Sequence, residues 1–377
     1  DYRSNSCLRS EDTYVDPNSG NDDLNIGSVD SPFLTIKKAL ASVAGSELVP
    51  VSIQLAEGTY SPSTNGETFP INMISHVNLI GEGEDVTILD AEGREENITQ
   101  VMILKGINNC ILEKLRVTHG YCLDGYNTMC MGGGIDLQDS DLTLKNVLIN
   151  ENHTDQCGGG IALNSSTLHT VDVKINNNFS VDSDTSFDYS FGGGICAYES
   201  YLELVNTDIS FNEATAGGGI WLFESNFNLF SVNITNNKAI GCCWAVNEGG
   251  GGINIAGDFW SDDVSFMLDS RAQYVTIAEN YTDHRGGGIA IHDGGTLKLT
   301  GVTIVDNKSE GDAGGILNRS QLIIKNSIVK NNEASYDPVN IYSSIDPNYI
   351  NNIITYSNIA DTSYNVGVTA DNDYCIN

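Results

Sequence analysis

The amino-acid sequence is dominated by one coupled repeat. A Gly-Gly-Ile triplet, most often preceded by a further glycine, recurs seven times, and each copy accompanies an Ile-x-x-Asn tetrad. The triplets end at Ile135, Ile161, Ile195, Ile220, Ile253, Ile289 and Ile316, and the tetrads end at Asn152, Asn178, Asn212, Asn237, Asn280, Asn307 and Asn331. Such a period is typical of a solenoid, in which each coil buries its apolar face against its neighbours.

The spacing within one coil predicts which side chains point inward. The triplet Ile and the tetrad Ile lie 14 residues apart in four successive coils. Period-two alternation between them directs residues such as Leu137 and Leu144 into a common interior. A shift of one residue would turn these side chains to solvent, so the register is constrained. The pattern predicts one elongated all-β domain of parallel strands stacked about 4.8 Å apart.

The repeated polar residues are predicted to be structural. Stacked once per coil, the seven tetrad asparagines would lie above one another at a bend, where each amide can bond the next. Tight corners that need a positive φ or close backbone approach explain the glycines. We therefore expect an asparagine ladder rather than a catalytic or phosphate-binding motif.

The first part of the chain lacks the repeat and is predicted to close the end of the solenoid. Residues 36–43 space their apolar side chains as a short amphipathic helix. A solenoid exposes core at its ends, so a cap is required. We divide one continuous domain into a cap with its first strands (1–60), the coils (61–334) and a C-terminal coil and tail (335–377).

Two segments resemble known proteins. Residues 14–43 have the form Tyr-Val-Asp-x-x-x-Gly-x-Asp, followed by Ser-Pro-Phe-x-Thr-Ile-x-x-Ala. This segment resembles the N-terminal part of secreted right-handed parallel β-helix proteins, including pectate-lyase-like and alginate- or chondroitin-lyase-like enzymes. Residues 132–332 are similar to the passenger repeats of polymorphic outer-membrane proteins, which alternate Gly-Gly-Ala/Ile with Phe-x-x-Asn. The resemblance implies a right-handed parallel β-helix with either an adhesive surface role or polysaccharide lyase activity.

The net charge restricts the partners. The chain has 50 acidic and 18 basic residues, for a formal net charge of -32. Such a surface repels phosphates, so nucleic acid is excluded as an expected partner. It also keeps a β surface soluble. No organic cofactor is predicted, and calcium is the cofactor that this charge allows.

Cysteine usage and the chain start favour an extracellular protein. The nine cysteines form no Cys-x-x-Cys pair, which favours disulfides over a zinc site. Cys122 and Cys130 are the preferred local pair, although other pairings stay open. The sequence begins with Asp1 and has no apolar run of about 18 residues, so we expect a processed, secreted chain without a membrane span.

The predicted ladder divides the Asn-x-Ser/Thr sequons into buried ones and ones that a glycan could reach. Four of the eight sequons use tetrad asparagines, and a buried ladder amide cannot carry a glycan. The predicted glycosylation sites are the remaining four, Asn97, Asn164, Asn233 and Asn318.

One outward column is weakly polar for so acidic a chain. The residues that follow the triplets are Asp136, Ala162, Cys196, Trp221, Asn254, Ala290 and Leu317. Two explanations stay open: inserted loops or the tail cover the column, or it is a contact face for another subunit with Trp221 as its anchor.

One cluster could support catalysis. A lyase needs a base beside a uronate and a cation for its carboxylate. Asp283, His284 and Arg285, followed by His292 and Asp293, offer these groups. A hydrolase could instead use a carboxylate pair from an acidic insertion that contains Asp258, Asp262 and Asp263.

The sequence lacks a basic groove for an anionic substrate, and this disfavours a lyase. The preferred hypothesis is therefore a non-catalytic extracellular structural or adhesive β-helix glycoprotein that self-associates, as in a filament, or binds extracellular proteins or glycans. The alternative is a polysaccharide lyase or another carbohydrate-active enzyme.

Overall fold

The computed structural model describes residues 8–123, 131–181, 190–241, 249–256, 268–292, 295–336, 340–343, 353–355, 357–359, 362–364 and 369–370. Its strands form three sheets, of 20, 11 and 8 strands, whose pairings are parallel. Each strand pairs with its equivalent in the next coil. The predicted right-handed parallel β-helix is confirmed.

Sheet 1 is the largest sheet. Its strands are Thr13–Val15, Val51–Leu55, Gly58–Tyr60, Val77–Ile80, Thr87–Asp90, Cys110–Thr118, Asp141–Asn150, Thr167–Asn176, Tyr201–Ser210, Asn226–Phe230, Asn233–Thr235, Leu268–Gln273, Thr276–Ala278, Gly295–Thr300, Thr303–Val305, Gln321–Lys325, Ile328–Lys330, Ile353–Thr355, Asn358–Ile359 and Thr369–Ala370.

Sheets 2 and 3 complete the coil. Sheet 2 contains Ile71–Asn72, Met102–Lys105, Ile135–Gln138, Ile161–Asn164, Ile195–Tyr198, Ile220–Phe223, Ile253–Ala256, Ile289–Ile291, Ile316–Asn318, Ile341–Ser343 and Thr362–Tyr364. Sheet 3 contains Tyr121–Cys122, His153–Thr154, Phe179–Ser180, Glu213–Ala214, Lys238–Ala239, Tyr281–Thr282, Lys308–Asp312 and Glu333–Tyr336.

A typical coil begins at the triplet and passes through sheets 2, 1 and 3 in turn. The strand Ile135–Gln138 leads by a tight turn into Asp141–Asn150, and Asn152 then begins the corner to His153–Thr154. Sheet 1 is bent in its middle, because Asn146 has a φ of 51°. The inward residues Ile135, Leu144 and Ile149 are fully buried, which gives the solenoid its continuous apolar core.

The predicted helix covers the first coils. Helix α1 spans Ile36–Leu40, shorter than the predicted 36–43, and packs against the strands Thr13–Val15 and Val51–Leu55. Thr35 Oγ1 accepts a hydrogen bond from Lys38 N at 3.1 Å, and the buried Glu67 carboxylate accepts one from Ile36 N at 2.6 Å. Two side chains therefore satisfy the free amides at the helix start. No helix among the described residues is long and apolar enough to cross a lipid bilayer.

The asparagines form a continuous ladder. Each Nδ2 donates to the next Oδ1 at 2.8 to 3.0 Å. The bonded side chains are, in order, those of Asn152, Asn178, Asn212, Asn237, Asn280, Asn307, Asn332 and Asn340.

The prediction of Asn331 as a ladder residue is wrong by one position, because the side-chain amide of Asn332 forms the ladder hydrogen bonds. Val329 is fully buried, whereas Ile328 is 38% exposed. This coil is therefore set one residue later than its Ile-x-x-Asn pattern indicates. Asn331 occupies the preceding corner position, with a φ of 56°.

The triplet and the tetrad are two sides of one contact. A Cβ placed on Gly194 would lie 3.1 Å from Asn212 Nδ2 and 2.6 Å from Gly219 O. The last glycine of the triplet is thus required because the ladder and the neighbouring coil leave no room for a side chain. The same contact joins Gly134 to Asn152, Gly160 to Asn178, Gly219 to Asn237, Gly252 to Asn280, Gly288 to Asn307 and Gly315 to Asn332.

His119 links the outer edges of neighbouring coils and gives a pH-dependent contribution to stability. Its Nδ1 lies 3.0 Å from Asp90 Oδ2, and its Nε2 lies 3.1 Å from Glu151 Oε2. The hydrogen bond with Asp90, followed by the charges of both carboxylates, raises the pKa of His119. Burial raises the pKa of Asp90, but the hydrogen bonds from His119 and from Glu92 N outweigh it, so the pKa of Asp90 is lowered.

We expect His119→Asn to destabilise the protein more at pH 5 than at pH 8.5. A raised histidine pKa stabilises the fold fully below the unfolded value of about 6.5, and this contribution is lost as pH rises through the folded value. Asn tolerates the φ of 52° at this position. Thermal melts of both proteins at the two pH values measure the difference, and an equal shift at both would contradict the charged arrangement.

Candidate functional site

A solvent-open cavity lies on the outer face of sheet 1, at its bend. It is a groove of about 710 Å³, open to solvent, between the loop 82–86 and the strands beside it. We name it the bend groove; its lining residues are Glu82, Gly83, Glu84, Asp85, Val86, Lys114, Asn146, Asp172, Val173, Lys174, Asn206 and Asp208.

These side chains occupy equivalent positions in successive coils. Lys114, Asn146, Asp172 and Asn206 are the bend residues of successive coils, each with a φ between 47° and 56°. Lys174 lies two residues after the bend at Asp172, and Asp208 lies two residues after the bend at Asn206. Lys174 and Asp208 are partners in the strand register. One or two polar groups per coil therefore line the groove, at steps of about 4.8 Å.

Two ion pairs hold the loop 82–86 across the groove. Lys174 Nζ lies 2.5 Å from Glu84 Oε1, and Arg116 Nη2 lies 3.5 Å from Asp85 Oδ1. Asn206 Nδ2 also donates to Asp172 Oδ1 at 3.2 Å, between bend residues of neighbouring coils. The groove wall is thus set by contacts between the loop and the sheet.

The groove has an excess of carboxylates, even with these pairs formed. Glu82, Asp172 and Asp208 add negative charge beyond the two paired acids. Burial raises the pKa of Asp208, and the nearby Lys174 opposes this effect. A polyanion would therefore meet repulsion here, whereas a neutral or amine-bearing chain would not.

An exposed apolar stripe borders the groove. Val171, Val205 and Phe230 are register partners in consecutive coils, immediately before their bend residues. Tyr274, the bend residue of the next coil, makes an edge contact with Phe230 at 5.5 Å between ring centroids. Val171 is 37%, Phe230 42% and Tyr274 64% exposed. The bend thus combines aromatic faces with carboxylates and amides, as sugar-binding surfaces require.

The groove does not favour proton abstraction by a lysine. The hydrogen bond with Glu84, followed by the charges around it, raises the pKa of Lys174. A general base needs the opposite shift, towards neutral pH. Among the described residues, no group of three or more His, Cys, Asp or Glu side chains could hold a metal ion. Calcium binding stays a prediction.

Two residues of the predicted catalytic cluster bind the backbone of Gly241, and the third pairs with a carboxylate. Asp283 Oδ2 accepts a hydrogen bond from Gly241 N at 3.2 Å, and His284 Nε2 is bonded to Gly241 O. Arg285 Nε is paired instead with Asp312 Oδ2 at 3.3 Å. These contacts fix the chain where the segment 242–248 begins.

The other predicted acid-base residue lies elsewhere on the coil. His292 follows the sheet 2 strand Ile289–Ile291, is 2% exposed, and has its Nε2 3.5 Å from Asn254 Nδ2. It is therefore buried in the outer layer of sheet 2 rather than open to a substrate. Asp293 and the acidic insertion residues Asp258, Asp262 and Asp263 lie outside the described residues.

The weakly polar column is buried, which corrects the prediction of Trp221 as a contact anchor. Trp221 is 6% exposed and stacks on Phe191 at 4.5 Å. Phe191 belongs to a ridge that immediately precedes the triplets, formed by Met131, Cys157, Phe191, Ala216 and Gly249 in parallel bridges. This ridge packs on the column as a second apolar layer. It agrees in part with the explanation that inserted segments cover the column, because Phe191 ends one of the insertions.

The predicted glycosylation sites divide by exposure. Asn97, Asn164 and Asn233 are exposed, and their glycosylation stays a prediction. The prediction for Asn318 is wrong, because this residue is fully buried and its Nδ2 donates to Ser343 Oγ at 3.2 Å. Alternation from Ile316 directs Asn318 inward, at the position that Ile291 fills in the preceding coil.

The structure contains a disulfide that the sequence analysis did not single out, and the predicted Cys122–Cys130 pair stays a prediction. Cys157 and Cys196 form a disulfide between the ridge and the column, with 5.5 Å between their Cα atoms. The sequence signal was present, since one precedes a triplet and the other follows the next one. Cys122 is also disulfide-bonded, and its predicted partner Cys130 lies outside the described residues.

Comparisons with solved structures agree with the parallel β-helix fold. Pectate lyase Pel9A superposes with a TM-score of 0.57 at 14% identity, over 90% of this chain and 80% of that chain. A rhamnogalacturonan lyase gives a TM-score of 0.43 at 13% identity, over 94% and 89% of the two chains. Pectin methylesterase PemA from Erwinia chrysanthemi gives 0.40 at 9% identity, over 96% and 93%. At these identities the likeness concerns the fold alone.

Sequence comparisons identify a family. A search of curated proteins found no match. The family model described as "Protein of unknown function (DUF1565)" matches residues 18–370, which is nearly the whole chain.

Proposed function

The chain belongs to the DUF1565 family, and we propose that it is a non-catalytic, extracellular adhesive β-helix that binds a polysaccharide along the bend of sheet 1. The groove beside the exposed rings of Phe230 and Tyr274 supports this function most directly. Pyranose rings stack on aromatic faces, and their hydroxyls bond to carboxylates and amides. Filament formation and glycosylation stay predictions from the sequence.

The ligand of the groove is a chain without dense negative charge. Carboxylates outnumber lysines in the lining, and the whole protein has a net charge of -32. A neutral polysaccharide avoids this repulsion at every salt concentration. Because the bend repeats once per coil, a linear chain lying along the solenoid axis meets equivalent groups at regular steps.

We expect Tyr274→Asn to weaken polysaccharide binding about tenfold, the usual effect of losing one aromatic contact. Asn removes the ring and still fits the φ of 56°. Affinity gel electrophoresis with xylan, mannan and β-glucan measures the effect. The matched control is Tyr336→Asn, because Tyr336 is 66% exposed on sheet 3, away from the groove. No retardation of the wild type by any of the three polymers would refute the proposal.

A polysaccharide lyase is the alternative, and it has a separate readout. Incubation with polygalacturonate would then generate the absorbance of an unsaturated uronate. His284→Ala and Arg285→Ala would abolish that absorbance if these residues carry the reaction. We expect no such absorbance from the wild type, since the side chains of His284 and Arg285 already bind Gly241 O and Asp312.

A further inference from the structure

A group of basic side chains follows the bend groove along the outer face of sheet 1. The six strands of sheet 1 from Leu268 to Lys330 contain one acidic residue, Asp269, against four basic residues. The basic residues are Arg271, Lys298, Lys325 and Lys330. The first three lie before the bend of their coils, and each is adjacent in sequence to a buried core residue, so each points outward. We name Arg271, Lys298 and Lys325 the basic surface.

The basic surface keeps positive charge after its ion pairs are counted. Arg271 and Lys298 are register partners, and both donate to Asp269 Oδ2, from Nη2 at 2.9 Å and from Nζ at 2.7 Å. These hydrogen bonds, that of Lys298 first, lower the pKa of Asp269, so its carboxylate is ionised at neutral pH. Lys325 is exposed and pairs with no carboxylate within the described part of the chain. One anion therefore stands against the three cations.

Neighbouring acidic side chains of sheet 1 do not cancel this charge. Glu203 lies two coils before Arg271 in the same row, and its Oε2 is 2.8 Å from His169 Nδ1 on the far side. Glu279 and Asp306 occupy corners at the other edge of the sheet, with a further strand between each of them and the bend. Exposed charges at such separations are largely screened at physiological salt.

The ring of Tyr274 extends over the basic surface. Gly301 is the bend residue of the next coil, and a Cβ placed on it would lie 3.1 Å from Tyr274 Cδ1 and 3.3 Å from Tyr274 Cε1. The ring therefore lies against the coil that contains Lys298. Gly301 N donates to Lys325 O at 2.9 Å, which brings the following coil beside the ring. Because Tyr274 is 64% exposed, a sugar can stack on it with the flexible side chains of both lysines nearby.

We propose that the ligand is a polysaccharide with a neutral backbone and isolated uronate groups, whose carboxylates bind to the basic surface while a sugar ring stacks on Tyr274. This inference rests on the polysaccharide-binding function proposed above and names the class of ligand. Ammonium and guanidinium groups bind carboxylates through charge-assisted hydrogen bonds, which are stronger than those between neutral groups.

Two parts of one face select this ligand together. The bend groove has an excess of carboxylates, so a densely charged polyanion is repelled where it crosses the groove. A fully neutral chain avoids that repulsion but gains nothing from the cations of the basic surface. A neutral backbone that carries a uronate only at intervals satisfies both parts.

The test compares glucuronoxylan with the same polymer after its uronates have been reduced to neutral sugars. Titration calorimetry measures both affinities at low and high salt, and polygalacturonate serves as the densely charged chain. Lys325→Gln removes one charge from the basic surface. The matched control is Lys238→Gln, which removes the same charge from an exposed lysine on sheet 3, away from the bend.

We expect the wild type to bind glucuronoxylan about fivefold more tightly than the reduced polymer, the upper effect of one exposed ion pair, with the preference lost at high salt. Lys325→Gln should reduce this preference to below about twofold, whereas Lys238→Gln should retain it. Equal binding of the two polymers by the wild type would overturn the proposal. So would tighter binding of polygalacturonate than of glucuronoxylan, or an equal effect of the two variants.

The same titrations separate this proposal from the function proposed for the groove. Equal binding of both polymers, still weakened by Tyr274→Asn, would refute uronate recognition and leave polysaccharide binding in place. Binding of neither polymer would also refute uronate recognition, and the gels with mannan and β-glucan would then decide whether the groove binds polysaccharide at all.

Discussion

Replacing Asn212 with Ala is expected to lower the free energy of unfolding by about 3 to 5 kcal/mol. Its Nδ2 donates to Asn237 Oδ1 at 3.0 Å and to Ile175 O at 2.9 Å, and its Oδ1 accepts from Asn178 N and Nδ2, each at 3.0 Å. All these groups lie inside the solenoid, where water cannot replace the lost partner. Guanidinium denaturation followed by circular dichroism measures the loss.

The matched control for this variant is Asn233→Ala. Asn233 lies in the next coil on the outer face of the strand Asn233–Thr235 and is exposed, so its replacement should change stability by no more than about 0.5 kcal/mol. A similar effect of both substitutions would mean that the ladder amides contribute no more than surface amides.

The ladder explains why so much of the fold was predictable from the sequence. Gly194 and Asn212 are 18 positions apart in the chain but touch across the coil, and the same pair recurs in every regular coil. A contact that repeats must leave a repeat in the sequence. The prediction failed at Asn331 because two adjacent asparagines follow two adjacent β-branched residues, Ile328 and Val329, and only burial distinguishes the two registers.

The functional surfaces do not produce a repeat in the sequence. The ion pair between Glu84 and Lys174 joins residues 90 positions apart, and it is formed by a loop that occurs once. Phe230 and Tyr274 also look unrelated in sequence, since one ends a strand and the other occupies a bend. The two explanations for the column of Trp221 could not be separated from the sequence, because alternation predicts which side of the sheet a residue faces but not whether a second layer covers that side.

The proposed binding surface depends on the repeating architecture of the solenoid. The bend groove is formed by the loop 82–86 and by residues from consecutive coils of sheet 1. The groove needs consecutive coils to keep their relative positions, since each coil contributes one or two groups. Rigidity of the solenoid is therefore part of the binding mechanism, because fixed rings lose little conformational entropy when a sugar chain stacks on them.

That rigidity depends in part on the Cys157–Cys196 disulfide, and its removal gives the second large expected effect. The bridge joins residues 39 positions apart. Closing a loop of this size restricts the unfolded chain, and the double variant Cys157→Ala, Cys196→Ala should lose about 4 kcal/mol of unfolding free energy. Alanine suits both positions, because Ala162 occupies the place of Cys196 in the preceding coil and Ala216 occupies the place of Cys157 two coils later.

The remaining described cysteines determine how this measurement is controlled. Burial raises the pKa of Cys110 to about 12, so this free thiol should resist alkylation in the native protein. Cys122 is also disulfide-bonded, so a reductant would break more than one bridge in the wild type. Denaturation of the double variant without reductant isolates the effect of Cys157 and Cys196. Unfolding free energies equal to the wild type would show that packing of Phe191 on Trp221 suffices to hold the ridge on the column.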